Sequence, residues 1–155
     1  MFHKLVDKVY AINLPSSKDR RANILHQCRG VGTHFEIVDA IDGRKDNVDW
    51  VENEVNSHED GWTQGAAGLV HTTKNIIKDA KEKGYKSIMI MEDDIVFIPD
   101  AYRIAKGLFD TLPEDWELFH LASQDYSNNS RRLGGLLRLG GAWSCQIYMI
   151  HERVF

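Results

Sequence analysis

Apolar runs, broken at intervals by polar turns, divide the chain into short strands alternating with longer helices. Val9 to Leu14 is a nearly continuous apolar run stopped by Pro15, the mark of a strand buried on both faces. Ser16-Ser17-Lys18-Asp19 offers a helix start with Ser16 and Asp19 at capping-box spacing, and Ala22, Leu25 and Cys28 form its apolar stripe. Gly30 or Gly32 would end that helix. Phe35 to Val38 alternates as a second strand and leads into Asp39-Ala40-Ile41-Asp42-Gly43, where Asp-Gly marks a turn. Residues 44–62 are polar, anchored by Trp50 and Trp62, and read as a short helix plus loop. From Ala66 to Lys83 the helical period is clear: Leu69, Thr73, Ile76, Ile77 and Ala80 share a face, and Gly84 is placed to cap it.

Residues 86–91 form the next buried strand, 101–109 a helix and 116–121 another strand. Residues 127–130 read as a mobile loop, and the glycine pairs at 134–135 and 140–141 allow a hairpin or a close approach to a ligand. Ala142 to Ile150 is a last strand, with the start of a helix at 151–155. There is no internal repeat, low-complexity segment or linker. The pattern predicts one α/β domain over residues 1–155, with a largely parallel sheet flanked by helices.

The strand at 86–91 runs straight into Glu92-Asp93-Asp94. A parallel strand would deliver these acids to the carboxyl edge of the sheet, where open α/β sheets bind ligands. Three adjacent carboxylates repel one another, and a divalent cation with oxygen ligands, magnesium or manganese, would compensate. A solvated acidic turn fits the same three residues equally well.

Composition narrows the classes. With 155 residues, 43% of them hydrophobic, the chain can bury a genuine core. A formal charge of −4 argues against a general nucleic-acid or anionic-membrane surface. Cys28 and Cys145, far apart, exclude a disulfide framework and a Cys-rich zinc site and suit a reducing, cytoplasmic compartment. The first eight residues carry charges throughout, so neither a signal peptide nor a membrane span is expected.

Several motifs fail. No Gly-Lys-Ser/Thr occurs, and Gly65-Ala66-Ala67-Gly68 lacks dinucleotide spacing; it more simply lets a helix start close to another backbone. The seven histidines include no zinc-binding pair. Ser144 is not in a nucleophile elbow, and Cys145 reads as a small buried hydrophobe. A phosphohydrolase pairing fits poorly, because Glu92 holds the nucleophile position or Ile95 the second aspartate position.

The ordered set of motifs resembles glycosyltransferase family 25, which includes bacterial lipooligosaccharide galactosyltransferases and collagen galactosyltransferase domains. Val9 to Leu14 followed by Asp19-Arg20 is similar to the family's opening motif, and Val38 to Gly43 to its second. Gly65-x-x-Gly68, the helix to Gly84 and the strand into Glu92-Asp93-Asp94 match the central block. Gly141-Ala142-Trp143 through Ile150 resembles its later glycine-aromatic strand.

The resemblance implies a GT-A-type, Rossmann-like fold and inverting transfer of galactose or glucose from a UDP-sugar with manganese or magnesium. The acceptor would be a glycan, lipid-linked or protein hydroxyl. It assigns Asp94 to the metal, with Asp93 as a further candidate for the same cation, and Glu92 to metal or ribose. Asn13, Leu14 and Pro15 would line the nucleotide pocket. Arg20 would meet phosphate or base, or else pair with a neighbouring carboxylate. Asp42 would face the nucleotide or shape its own turn, the turn being favoured. Asp125 is the candidate general base, against the plainer reading of a surface aspartate.

Two departures stand out. The family's Ser-His is replaced by Thr72 and Thr73, and His71, two positions from Thr73, lies roughly 200° around the helix. The chain also runs short after the last matched strand, so a non-catalytic sugar-nucleotide-binding domain stays open as an alternative, with a metal-dependent phosphohydrolase third.

Overall fold

The computed structural model describes residues 1–46, 64–125, 130–140 and 142–155, with the backbone alone for 124–125 and 142–145. In chain order the elements are β1 (Lys8–Asn13), α1 (Lys18–Gly30), β2 (Glu36–Asp39), α2 (Gln64–Glu82) and β3 (Ser87–Glu92). They are followed by α3 (Ala101–Phe109), β4 (Leu118–Asp125), β5 (Arg131–Leu133), β6 (Leu136–Arg138) and β7 (Ala142–His151). The predicted helix and loop beyond Asp46, with Trp50 and Trp62, lie outside the described residues, as does the predicted loop at 127–129 and the side chain of Cys145.

Five strands form one sheet in the order β2-β1-β3-β7-β4. β1 pairs in parallel with β2 and β3, whereas β7 is antiparallel to both β3 and β4. Four strands therefore share a direction and β7 is inserted against them. The sheet is mostly parallel, as predicted. The reversal of β7 is silent in the sequence, because a strand covered on both faces is apolar whichever way it runs. β5 and β6 make a separate hairpin that turns through Gly134-Gly135, with Gly134 at φ +61°.

Alternation along β1 and β3 builds two cores. Val9 and Ala11 join Met89 and Met91 beneath Ile24 and Cys28 of α1 and Ala105 of α3, with Phe119, Ile147 and Met149 extending the cluster. Tyr10 and Ile12 join Ile88 and Ile90 on the opposite face, under Ile76 and Ala80 of α2. Each Ile or Met so enclosed contributes roughly 1.5–3 kcal/mol relative to exposure. The result is a helix–sheet–helix sandwich whose central strands are fixed from both sides.

Five local expectations change. Ser17 caps α1 without a side-chain hydrogen bond, so the box between Ser16 and Asp19 does not form. The buried face of α1 carries Ile24 and Cys28, while Leu25 is 44% exposed and Ala22 is also exposed. On α2, Thr72 rather than Thr73 is buried, in line with Gly68, Ile76 and Ala80. β4 starts at Leu118 and runs on to Asp125, leaving Trp116 to pack edge-on against Phe109 and His151. Residues after β7 form a single 3-10 turn, Glu152–Val154. Gly84 does close α2: at φ +71° its N–H donates to Lys81 O (3.1 Å) and that of Tyr85 to Ala80 O (3.1 Å).

Candidate functional site at the carboxyl edge of the sheet

The three parallel strands β2, β1 and β3 end side by side at Asp39, Asn13 and Glu92, with Asn13 in register with Asp39 and Ile12 with Glu92. The chain after β3 then turns under α1, and that turn separates the three acids. Asp93 is buried at 6% exposure and points inward. Its Oδ2 accepts a 2.6 Å hydrogen bond from Asn13 Nδ2, and its Oδ1 lies 3.5 Å from Arg20 Nη1. Asn13, itself 1% exposed, also donates to Ser17 O (3.2 Å). Asp94 faces solvent, with Arg20 Nη1 at 3.5 Å from its Oδ2. Glu92 is half-buried at the strand end.

The acids at this edge act on one another. Burial pushes the Glu92 carboxyl above its usual range, and the charges of Asp94 and Asp93 push it further, with Arg20 opposing. Arg21 serves a different pair, donating to Asn13 Oδ1 (3.4 Å) and Asp39 Oδ1 (3.2 Å). Two amides of α1 hold the turn below the acids. Asn23 Nδ2 donates to Asp93 O (3.0 Å) and Ile95 O (3.1 Å), and Gln27 Oε1 accepts from Phe97 N (3.0 Å). Asn23, Gln27, Arg21 and Asp39 were not singled out in the sequence. The available signal was the pair Asn23 and Gln27 at i, i+4 beside Ile24 and Cys28, polar residues sharing a buried helical face.

The other predicted positions spread along the same edge. Leu14 is half-buried and Pro15 exposed in the turn from β1 into α1, where Ser17 N donates to Leu14 O (2.8 Å). Asp42 shapes its own turn: Oδ1 accepts from Arg44 N (3.2 Å), Lys45 Nζ stands 3.3 Å from Oδ2, and its N–H donates to Asp46 Oδ2 (2.8 Å). The Arg44 hydrogen bond, then Lys45, holds its carboxyl below the usual range against the effect of desolvation. Asp125 ends β4 opposite Ala142. One strand, β7, lies between β4 and β3, so the two strands run roughly 10 Å apart, and Asp125 lies beyond the level of Glu92 at the same edge of the sheet.

The Asp42-Gly43 turn is locked onto α2 by close backbone contact. A Cβ on Gly43 would meet Gln64 O at 1.9 Å, and one on Gly68 would meet Ile41 O at 2.3 Å. Thr72 completes the lock, its hydroxyl accepting from Ile41 N (2.9 Å) and donating to Gly68 O (2.8 Å). The threonine standing where the resembled family carries serine thus has a definite role here. Beyond Asp94 a groove of about 420 Å³ opens, lined by Val96, Ile104, Leu121 and Gln146 among others.

Glu92 and Asp94 carry the hard oxygen donors that a divalent cation takes, and among the described residues Asp94 is opposed only by the distant contact of Arg20. Among the described residues no group of three or more His, Cys, Asp or Glu side chains converges as a ready-made metal cage. Asp93 is committed to Asn13 and Arg20. Two carboxylates are what magnesium-type sites use when substrate phosphates and water complete the shell.

A mostly parallel sheet between helix layers, with an acidic strand end at its ligand edge, is the layout of a GT-A-like domain. The sequence profile of glycosyltransferase family 25 (LPS biosynthesis protein) matches residues 6–136, and the chain belongs to that family. It is 24% identical over 127 residues to procollagen galactosyltransferase 2 of Mus musculus, an alignment covering 74% of this chain and 20% of that protein. The same figures hold for procollagen galactosyltransferase 2 of Homo sapiens. The chain thus spans about one fifth of the length of these relatives. Among the described residues no helix is long and apolar enough to cross a membrane.

Proposed function

We propose that this domain binds a UDP-hexose with a divalent cation and transfers the sugar, with inversion, to a hydroxyl of a glycan, lipid-linked or protein acceptor. The observation that carries the reading is the split of the acidic triplet. Asp93 is consumed in holding the edge together, leaving Glu92 and Asp94, on either side of it, as the acidic pair at the end of β3. These two would hold manganese or magnesium, which when bound neutralises charge on a diphosphate leaving group. Arg20 reaches the same space from the first turn of α1 and can donate to phosphate oxygens. Leu14 and Pro15 would form the adjoining wall for the nucleoside, with the buried Asn13 supporting it from beneath through Asp93. Asp125, on the same edge, is assigned as the base that takes the proton of the acceptor hydroxyl.

A phosphohydrolase is disfavoured. Asp93, first after β3, is buried, with its two carboxylate oxygens facing Asn13 and Arg20, whereas a nucleophile must be open to substrate. The donor reading is tested by thermal unfolding with UDP-galactose or UDP-glucose. Protection is expected only when Mn²⁺ is present, and Asp94→Ala should abolish it. Unchanged protection in Asp94→Ala removes the assigned role. Release of UDP in a screen of nucleotide-sugars with Mn²⁺ separates an enzyme from a binding domain.

A further inference from the structure

The two arginines that open α1 are set differently. Arg21 faces Asn13 and Asp39, away from the triplet. Arg20 directs one nitrogen between Asp93 Oδ1 and Asp94 Oδ2, at 3.5 Å from each. Asp93 keeps a shorter, buried partner in Asn13. Asp94 has no partner other than Arg20 among the described residues.

We propose that Arg20 is the resident counter-ion of the cation site. Its guanidinium, set between Asp93 and Asp94, offsets part of the negative charge that a divalent cation on Asp94 would offset, and it gives way when cation and diphosphate arrive. The proposal rests on the reading of Asp94 as a metal ligand. Three features make Arg20 suited to an exchange. Its side chain is 58% exposed, so the head can swing while the first turn of α1 fixes the stem. Both its contacts are long for charge-assisted hydrogen bonds, so the pairs are weak and readily exchanged. A diphosphate bound beside the cation offers the guanidinium a bidentate partner better matched than two separate carboxylates.

The consequence is coupling. A cation binding alone must displace Arg20, whereas a cation arriving with diphosphate finds Arg20 drawn to the phosphates. Each ligand then favours the other by the same factor, as linkage requires.

The test uses Mn²⁺ alone, titrated into the full chain and followed by the electron paramagnetic resonance of free Mn²⁺. Arg20→Gln should bind Mn²⁺ several-fold more tightly than the wild type, while Arg20→Lys, which keeps the charge, stays close to it. Arg21→Gln should leave Mn²⁺ binding unchanged, and Asp94→Asn should weaken it. Melting curves check that each variant is folded. Equal affinity in wild type and Arg20→Gln, with Asp94→Asn weakened, overturns the counter-ion role alone. Wild-type affinity in Asp94→Asn overturns the metal assignment and this proposal with it.

Discussion

The contact between the Asp42-Gly43 turn and α2 can be tested with one methyl group. In Gly68→Ala the new Cβ would lie 2.3 Å from Ile41 O and 2.8 Å from Gly43 N, both backbone atoms that cannot rotate aside. Restoring an ordinary contact requires the turn and helix to separate by about 1 Å. The hydrogen bond from Ile41 N to Thr72 Oγ1, now 2.9 Å, does not survive that separation. Its loss costs about 1 kcal/mol, and forced overpacking about 1–3 kcal/mol. The better helix propensity of alanine returns close to 1 kcal/mol. The net expectation is destabilisation of about 2 kcal/mol, or a Tm lower by roughly 4–8 °C for a chain of this size. Gly107→Ala supplies the contrast, since a Cβ there meets nothing within 4 Å and α3 should gain about 0.5–1 kcal/mol. Urea unfolding monitored by helical circular dichroism measures both. If Gly68→Ala is as stable as the wild type, the close approach is not what holds this turn.

Two further predictions concern the acids. Glu92 in the folded chain holds its proton more tightly than its ordinary value of 4.5 would give, so the stability this group confers is complete below about pH 4.5 and is lost as pH rises through the folded value. Glu92→Gln should therefore be more stable than the metal-free wild type near neutrality. Urea midpoints from pH 4 to 7 that run parallel for the two proteins would contradict this. Asn13→Ala removes a 2.6 Å hydrogen bond to the buried Asp93 carboxylate and should cost about 2 kcal/mol in chemical denaturation. A change below about 0.5 kcal/mol would show that Asp93 does not depend on Asn13.

The chain by itself determined the elements whose pattern is local. β1 and β3 are legible because strands covered on both faces become continuous apolar runs, and α3 falls on its predicted residues, Ala101–Phe109. The end of α2 is legible because a left-handed closing residue calls for glycine, here Gly84. The Gly65-x-x-Gly68 segment announces close backbone contact, although only the fold shows that its partner is the Ile41–Gly43 turn. The face of α1 was misread because Asn23 and Gln27 turn inward to satisfy backbone groups of residues 93–97, about 70 positions away. The acidic triplet was visible from the start, but three adjacent carboxylates are chemically almost alike. Tertiary structure divides them. Asn13, 80 residues distant, captures Asp93, while Glu92 is held at the strand end and Asp94 is turned to solvent. A side chain's partner across the sheet depends on strand order and register, and neither is written in the spacing of residues along one strand.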